Sequence, residues 1–217
     1  MGKKAIVIGA TGLVGYELVK LLLQSNDFDK VTVFTRRAMD INDPKFEQHV
    51  INFTHLEKWG NLINGDVLFS TLGTTRKQAR GKANQYQIDF MFQYNFAEIA
   101  AQNGVKEYVL VSSMGADSKS SFFYTRIKGE LEDAVSRLPF EKIVIIRPAQ
   151  LYGNRKEKRA GESFALKLTN VLNKIGLLRS TRPIHAETVA KAMIKSLDTV
   201  EKHSIHSKNK LFDLAKD

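Results

Sequence analysis

A short buried strand that runs into a glycine-rich turn is the feature that most constrains the fold. Residues 5–8 form an unbroken apolar run, which is typical of a parallel strand covered on both faces. Gly9, Gly12 and Gly15 follow with the spacing GxxGxxG, and an amphipathic segment comes next at residues 16–23. Such a turn presents backbone N–H groups at the start of a helix, where they bind phosphate. The motif predicts a dinucleotide site; the alternative is a tight turn that binds nothing.

Three other residues of this turn are expected to contact the same ligand. Thr11 is expected either to cap the helix or to bond a phosphate oxygen. Leu13 and Val14 open the helix, so their backbone N–H groups are candidates for the same phosphate. The turn thus contributes five candidate cofactor residues, namely Gly9, Thr11, Gly12, Leu13 and Val14, while Gly15 is expected to let the helix pack on the strand.

Two arginines follow the second predicted strand, which covers residues 30–35. In sheets of this kind an acidic side chain at this point bonds the ribose 2′-hydroxyl of NAD, whereas an arginine accommodates the 2′-phosphate of NADP. Arg36 and Arg37 stand here and no acid does. The pair therefore predicts NADP(H), and the alternative is two loop arginines without a ligand.

Composition excludes several classes of protein. The chain has 217 residues, of which 26% are charged and 43% hydrophobic, and no apolar run is long enough to span a membrane. It holds no cysteine, which excludes disulfides, thiolate metal sites and cysteine nucleophiles. Because the first strand begins almost at the first residue, no signal peptide is expected. We therefore expect a cytoplasmic protein that does not bind a membrane.

The charge balance indicates an anionic ligand. Lys and Arg outnumber Asp and Glu by 33 to 23, which gives a net charge of +10. Such a charge attracts nucleic acid, a phosphorylated cofactor or an acidic substrate. The basic residues are mostly dispersed, and they lack the stacking platform or recognition motif of a nucleic-acid protein, so no nucleic-acid partner is expected. Local concentrations lie at residues 76–82 and 155–159, and each is alternatively a solvated loop.

Two later strands are expected to end beside the glycine turn. Residues 48–53 are predicted to form the third strand, with an adenine ring resting at its end. Residues 66–71 form another buried strand. Open α/β sheets bind ligands at the carboxyl ends of their strands, so both ends face the same crevice. The residues predicted to line the cofactor there are Asn52, Phe53, Leu72, Gly73 and Thr74.

Strand and helix continue to alternate, which predicts a doubly wound parallel α/β sheet. The longest predicted helix, at residues 85–103, carries an apolar stripe that packs in the core or forms the face of a homodimer. Residues 107–111 and 142–146 are predicted strands, with a helix at residues 121–137 between them.

The rest of the chain is predicted to be a small helical lid and a tail. Helices are expected at residues 163–172 and 186–197, followed by a polar tail in which His203 and His206 are solvated. We interpret residues 1–217 as one domain, of which about residues 153–217 form this lid and tail.

A tyrosine and a lysine, four residues apart on the helix at residues 121–137, are the candidate catalytic pair. Tyr124 and Lys128 share one helix face. A lysine ammonium, aided by a nicotinamide's positive charge, stabilises the phenolate and is expected to lower the pKa of Tyr124. Tyrosine then exchanges a proton with a substrate oxygen while hydride passes to or from the cofactor. Ser112 or Ser113, at the preceding strand end, is expected to hold that oxygen; which of them does so stays open.

The order of these motifs resembles the short-chain dehydrogenase/reductase superfamily, and most closely its atypical, Tat-interacting-protein-like branch. The segments that carry the resemblance are GATGLVG at residue 9, TRR at residue 35, LGTTR at residue 72, VSSMGADSKSSFFYTRIKGELE at residue 111, IRPAQLYG at residue 146 and RAGE at residue 159. The resemblance implies a Rossmann fold, bound NADP(H) and a tyrosine–lysine centre with Lys128 also on the ribose. It further implies that the basic loop around Arg155 and Arg159 lies near the cofactor or substrate pocket, and Pro148 and Arg159 are the cofactor candidates there.

We therefore predict an NADP(H)-dependent oxidoreductase that acts on a small carbonyl or alcohol substrate. The alternative is a catalytically weak protein that senses NADP(H) and binds a protein partner, because some members of this branch act chiefly as regulators. No metal site is expected.

Overall fold

The computed structural model describes residues 2–153 and 182–216. Its strands, in chain order, are β1 Lys3–Ile8, β2 Phe28–Thr35, β3 Phe46–Val50, β4 Val67–Ser70, β5 Glu107–Val111, β6 Lys142–Arg147, β7 Leu151–Tyr152, β8 Ile184–His185 and β9 His203–Ser207. The helices described are α1 Leu13–Gln24, α2 Lys82–Tyr86, α3 Phe92–Gln102, α4 Phe123–Val135, α5 Ala186–Lys195 and α6 Asn209–Leu214. Short 3-10 helices lie at Phe53–Lys58, Gly60–Leu62 and Ser196–Asp198, and a π-helical segment, Gln87–Met91, joins α2 to α3.

A parallel sheet forms the centre of the molecule. Within the described residues its strand order is β3-β2-β1-β4-β5-β6-β9, and every neighbouring pair is parallel. The order reverses direction between β1 and β4, where Ile8 of β1 pairs with Phe34 of β2 on one side and Ser70 of β4 on the other. This is the topological switch point at which sheets of this type bind ligands. The predicted Rossmann-type fold is confirmed.

Both faces of the sheet are buried, as the apolar strand runs require. Ala5 and Val7 point to a core that includes α1 and α5, with Leu18 and Val189 among its residues. Ile6 and Ile8 point to the opposite core, which includes residues of α3 and α4. Helices on both faces hold the strands rigidly, so the loops at the strand ends start from fixed positions.

Two predictions about elements are wrong. The third strand ends at Val50 and not at Phe53, because Asn52 caps the 3-10 helix that follows and its Oδ1 accepts from the Thr54 N–H at 3.0 Å. The predicted polar tail contains β9, which pairs with β6 and extends the sheet. His206 of that strand is fully buried, whereas His203 is exposed as expected.

The C-terminal helices are present at α5 and α6, and α5 packs against α1. The helix predicted at residues 163–172, the basic residues 155–159 and the candidate Arg159 lie outside the described residues. In the part of the chain that the structure describes, no helix is long and apolar enough to cross a membrane, and no group of three or more potential metal ligands was found there. The predicted homodimer stays a prediction.

Candidate cofactor and active site

The glycine turn is built by close backbone approaches. Gly9 has a φ of +82°, and a methyl group on it would lie 2.5 Å from the carbonyl carbon of Thr71. A methyl group on Gly15 would lie 2.3 Å from the Gly9 carbonyl oxygen, and one on Gly12 would lie 3.1 Å from that oxygen. The three glycines therefore let α1 approach the end of β1 and the loop after β4 more closely than any other residue permits.

The start of α1 offers its backbone N–H groups without a competing side chain. Gly12 is the N-cap residue and no side chain caps the helix, so of the two roles considered for Thr11 the capping role is wrong, and the bond to a phosphate stays a prediction. Thr11 is exposed beside the turn, and Leu13 and Val14 form the first turn of the helix. Uncapped N–H groups at the amino end of a helix fit a pyrophosphate, which is the group that the sequence predicts here.

The two arginines stand next to this turn. Arg36 and Arg37 follow β2 directly and both are exposed, while the Thr35 hydroxyl donates to the Arg37 carbonyl at 2.7 Å. Because β2 lies beside β1 in the sheet, the arginines lie at the edge where the glycine turn begins. Both arginines are thus exposed to solvent at this edge of the sheet.

The predicted adenine residues differ in what they offer. Asn52 is exposed and bonds Thr54, so it remains accessible at the sheet edge. The ring of Phe53 is buried and packs against Phe92 and Phe96, with ring centroids 5.6 and 6.3 Å apart. Phe53 therefore stabilises the core, and its ring is not free to stack on an adenine.

The loop after β4 crosses the glycine turn. The Thr71 N–H donates to the Ile8 carbonyl at 2.9 Å, which joins the ends of β4 and β1. Leu72 and Thr74 are partly exposed and Gly73 is exposed, so this loop presents backbone to the crevice. The Thr74 N–H points away from the crevice and donates to Asp89 at 2.8 Å.

Tyr124, Lys128 and Ser113 come together beside these loops. α4 carries Tyr124, which is partly exposed, and Lys128, which is 3% exposed. Ser113 follows β5; its hydroxyl donates to the Met114 carbonyl at 3.3 Å and lies near enough to the Tyr124 hydroxyl to lower its pKa. Ser112 is buried and its Oγ has no hydrogen-bond partner among the described residues. The structure therefore brings Ser113, rather than Ser112, to the tyrosine hydroxyl.

Burial and a nearby carboxylate act on the acid–base state of Tyr124. Burial raises the pKa of the Tyr124 hydroxyl, and the negative charge of Asp89 raises this pKa further, while the nearby Ser113 hydroxyl offsets part of the rise. Burial raises the pKa of the Asp89 carboxyl group, while the charge of Lys128 and the hydrogen bonds from Thr74 and Gln85 offset part of the rise. Burial and Asp89 thus act against the phenolate within the protein itself. The predicted lowering of the tyrosine pKa includes the positive charge of a bound nicotinamide and stays a prediction.

Asp89 is the site residue that the sequence reasoning missed. It lies in the π-helical segment, is fully buried, and faces the loop after β4. The available signal was an acidic residue within an apolar helical stretch, flanked by Gln85 and Gln93 at the same helical spacing. A buried carboxylate needs partners, so polar residues at this spacing predict a buried polar cluster.

Pro148 and Gly129 hold the surrounding backbone. The Pro148 carbonyl, just after β6, accepts from the Met114 N–H at 3.0 Å and so ties together the loops after β5 and β6. A methyl group on Gly129 of α4 would lie 2.2 Å from the Ser118 nitrogen, so only glycine lets that loop cross the helix. The glycine in the sequence YTRIKGE thus lets the loop at Asp117 and Ser118 pack directly on α4.

A sequence model of NAD(P)H-binding proteins matches residues 9–199, which is most of the chain. The chain belongs to the atypical short-chain dehydrogenase/reductase family. Among its relatives, "Protein FMP52, mitochondrial" of Candida albicans is 38% identical over 194 residues, which cover 87% of this chain and 85% of the relative. "Protein HTATIP2" of Rattus norvegicus is 35% identical over 199 residues, covering 90% and 81%.

Solved structures of low sequence identity to this chain share its fold. The Bordetella bronchiseptica enzyme WbmH in complex with NAD⁺ is 18% identical with a TM-score of 0.72, covering 95% of this chain and 76% of that one. MoeE5 in complex with UDP-glucose and NAD is 16% identical with a TM-score of 0.71, covering 94% and 75%. These likenesses support the Rossmann-type architecture alone.

The expected cytoplasmic location is wrong. The fungal relatives from Candida albicans, Meyerozyma guilliermondii, Debaryomyces hansenii and Kluyveromyces lactis are all named mitochondrial, and they are 36 to 38% identical to this chain. Composition alone does not separate cytoplasmic proteins from those of an organelle, because both fold in an aqueous compartment.

Proposed function

We propose that this protein is an NADP(H)-dependent oxidoreductase that transfers hydride between the cofactor and a small carbonyl or alcohol substrate. The observation that carries the proposal is the convergence of Ser113, Tyr124 and Lys128 at the edge where the glycine turn and the loop after β4 meet. Membership of an NAD(P)H-binding family supports the cofactor class. Following the names of the fungal relatives, we propose a mitochondrial location.

The choice of NADP(H) over NAD(H) rests on the end of β2. Arg36 and Arg37 are exposed there, beside the glycine turn, and the segment FTRRAM contains no acid to bond a ribose 2′-hydroxyl. Two cationic side chains favour a 2′-phosphate by charge and by directed hydrogen bonds. Among the described residues, neither arginine has an acidic salt-bridge partner.

In the proposed reaction the protein positions the substrate oxygen and moves one proton. A bound nicotinamide supplies or takes the hydride. The Ser113 hydroxyl orients the substrate oxygen, and the Tyr124 hydroxyl donates a proton to that oxygen in reduction or takes one in oxidation. Lys128, buried on the same helix face, holds a positive charge beside the tyrosine and so stabilises the phenolate when the proton leaves.

The test combines cofactor titration with turnover. Calorimetry should show NADPH binding at least about tenfold tighter than NADH, and the Arg36→Ala/Arg37→Ala protein should lose most of that preference. Tyr124→Phe should lower the rate of NADPH oxidation with a panel of small carbonyl compounds by about a hundredfold or more. Its NADPH affinity should stay within about twofold, because the phenyl ring retains the packing.

Tyr94→Phe is the matched control for Tyr124→Phe. Tyr94 is a partly buried tyrosine of α3 whose hydroxyl bonds Glu98 at 3.0 Å, away from Ser113. This variant should keep full turnover. Wild-type protein that binds neither cofactor would show that the glycine turn is only structural and would exclude the enzyme. Equal turnover in Tyr124→Phe and wild type would exclude the assigned proton donor.

The second candidate that the sequence leaves open is a protein that senses NADP(H) and binds a partner. A phenol that resists ionisation contributes less to proton transfer than one tuned to neutral pH. Tight NADPH binding without turnover of any carbonyl in the panel would select this function. A partner that is retained on the immobilised protein only with NADPH would then identify the regulated interaction.

A further inference from the structure

Asp89 and Gln85 together bind the backbone N–H and the backbone carbonyl of Thr74, in the loop after β4. The Asp89 Oδ1 accepts from the Thr74 N–H at 2.8 Å. The Nε2 of Gln85 lies 3.4 Å from the Thr74 carbonyl and 3.3 Å from Asp89 Oδ2, and donates to both oxygens. Asp89 and Gln85 are 0% and 4% exposed. The loop is therefore fixed at Thr74 from its buried side, while Gly73 stays exposed on the other.

The π-helical segment aims this carboxylate at the loop. A π turn widens the helix by one residue and leaves a carbonyl without its ordinary helical partner. The Gln93 side chain donates to the Asp89 carbonyl at 2.8 Å, and the Ser70 hydroxyl at the end of β4 donates to the Gln93 Oε1 at 2.8 Å. A continuous buried network thus joins β4, the loop after it and the π turn, so its parts cannot shift independently.

The same carboxylate faces the proposed acid–base pair. The charged or titratable groups that act on Asp89 are Lys128 and Tyr124, both on α4. A buried carboxylate costs several kcal/mol unless cations and N–H donors surround it, and here it has Lys128, the Thr74 N–H and Gln85. Nothing in the fold alone requires an ionisable group at this position, since an apolar side chain fills a buried helix position at lower cost.

We propose that Asp89 is a positioning residue for the cofactor, whose buried carboxylate holds the loop of residues 72–74 against the Tyr124–Lys128 pair. The loop crosses the glycine turn at Thr71, so its placement determines the shape of the cofactor crevice. Asp89 is not a catalytic residue in this arrangement, because it touches the loop backbone and not the reacting atoms. This inference rests on the proposed function.

The experiment compares two substitutions that both remove the charge and that differ in the ability to accept a hydrogen bond. Asp89→Asn keeps an oxygen for the Thr74 N–H, whereas Asp89→Leu has a similar volume and no acceptor. Asp89→Leu should weaken NADPH binding in calorimetry by about tenfold or more, because the loop is released and Thr74 loses its partner. Asp89→Asn should restore the affinity to within about threefold of wild type. A role limited to stability would not give this rescue at a temperature where both variants are folded.

Amide hydrogen exchange of Thr74 in the cofactor-free protein separates the two proposals. Exchange should be at least about tenfold faster in Asp89→Leu than in wild type and close to wild type in Asp89→Asn. Asp133→Leu, a substitution of an exposed acid on α4, is the control and should change neither measurement. If Asp89→Leu does not fold, Asp89→Ser replaces it, since its short side chain does not reach Thr74.

If wild-type protein binds no NADPH, the proposed function is wrong. The exchange rate of the Thr74 amide would still show whether Asp89 holds the loop. Wild-type protein that binds NADPH, with Asp89→Leu binding equally well, would overturn the role of Asp89 and leave the function intact. A loss of affinity in Asp89→Asn as large as in Asp89→Leu would also overturn it, because hydrogen bonding would then not be the cause.

Discussion

At the scale of single residues, Gly15 is a position at which an added side chain collides with the glycine turn. An added methyl group would lie 2.3 Å from the Gly9 carbonyl oxygen and 2.6 Å from Thr71 Oγ1. Because the first of these is backbone, the strand and helix must move apart. We expect Gly15→Ala to lower the free energy of unfolding by about 2 to 3 kcal/mol in urea denaturation, although alanine favours helix more than glycine does.

Gly60→Ala is the control for this substitution. A methyl group there would meet only the Ile99 Cγ2, at 3.7 Å, which is an ordinary contact distance. We expect its free energy of unfolding to stay within about 0.5 kcal/mol of wild type. If Gly15→Ala proves as stable as Gly60→Ala, the close packing of α1 on β1 described above is incorrect.

Most of the candidate residues were predictable because their chemistry shows in spacing. Tyr124 and Lys128 are one helical turn apart, and the serines follow an apolar strand, so the order along the chain was sufficient to place them at one edge. The choice of Ser113 over Ser112 was not predictable, since it depends on the direction in which the chain leaves β5. Asp89 was missed because its role depends on a π turn, which helical periodicity does not reveal.

At the scale of elements, β9 is a strand with a polar interior face. Ser204 and His206 alternate with exposed residues and point to the core beside β6, which explains why the segment HSIHS was interpreted as a polar tail. Neither nitrogen of His206 has a hydrogen-bond partner among the described residues. Burial lowers the pKa of His206, the charge of Lys210 lowers it further, and Glu201 opposes the change.

This buried histidine should make stability depend on pH. Since the pKa of His206 is lower in the folded than in the unfolded protein, the unfolded state binds the proton more readily below about pH 6.5. The free energy of unfolding should therefore fall by about 1 kcal/mol as the pH falls from 7.5 to 5.5, and at higher pH this effect is absent. The measurement is urea denaturation at both pH values.

Substitution of each histidine in β9 assigns the effect. His206→Leu should remove about 1 kcal/mol of the difference between pH 7.5 and 5.5, because no group remains there to bind the proton. His203→Gln changes an exposed residue of the same strand and should leave the difference as in wild type. An equal pH dependence in His206→Leu and wild type would show that other groups cause it.

At the scale of the whole molecule, the alternation of strands and helices was sufficient to predict the doubly wound sheet, because parallel strands need helical crossovers and those crossovers cover both faces. The position of the site also followed, since the glycine turn lies at the switch point between β1 and β4. The seventh strand of the sheet, β9, was not predicted, because its buried residues alternate with exposed ones and are themselves polar.

The net charge of +10 is a property of the whole molecule and should increase the association rate of an anionic cofactor. We expect the association rate constant of NADPH, measured by stopped-flow fluorescence, to fall by about three- to tenfold when NaCl is raised from about 20 to 500 mM, because salt screens the attraction. Two double variants separate the field of the whole molecule from local contacts. Arg36→Ala/Arg37→Ala and Lys195→Gln/Lys202→Gln each remove two positive charges.

Lys195 and Lys202 are exposed at the amino ends of the strands, opposite the proposed site, because Lys195 ends α5 and Lys202 precedes β9. If the arginines bind the 2′-phosphate, their loss should raise the dissociation rate constant by about tenfold or more, whereas the lysine variant should keep the wild-type value. Both variants should show a similar, smaller reduction of the association rate at low salt. Equal dissociation rates in the two variants would mean that Arg36 and Arg37 contribute charge alone, and the predicted preference for NADP(H) would lose its structural basis.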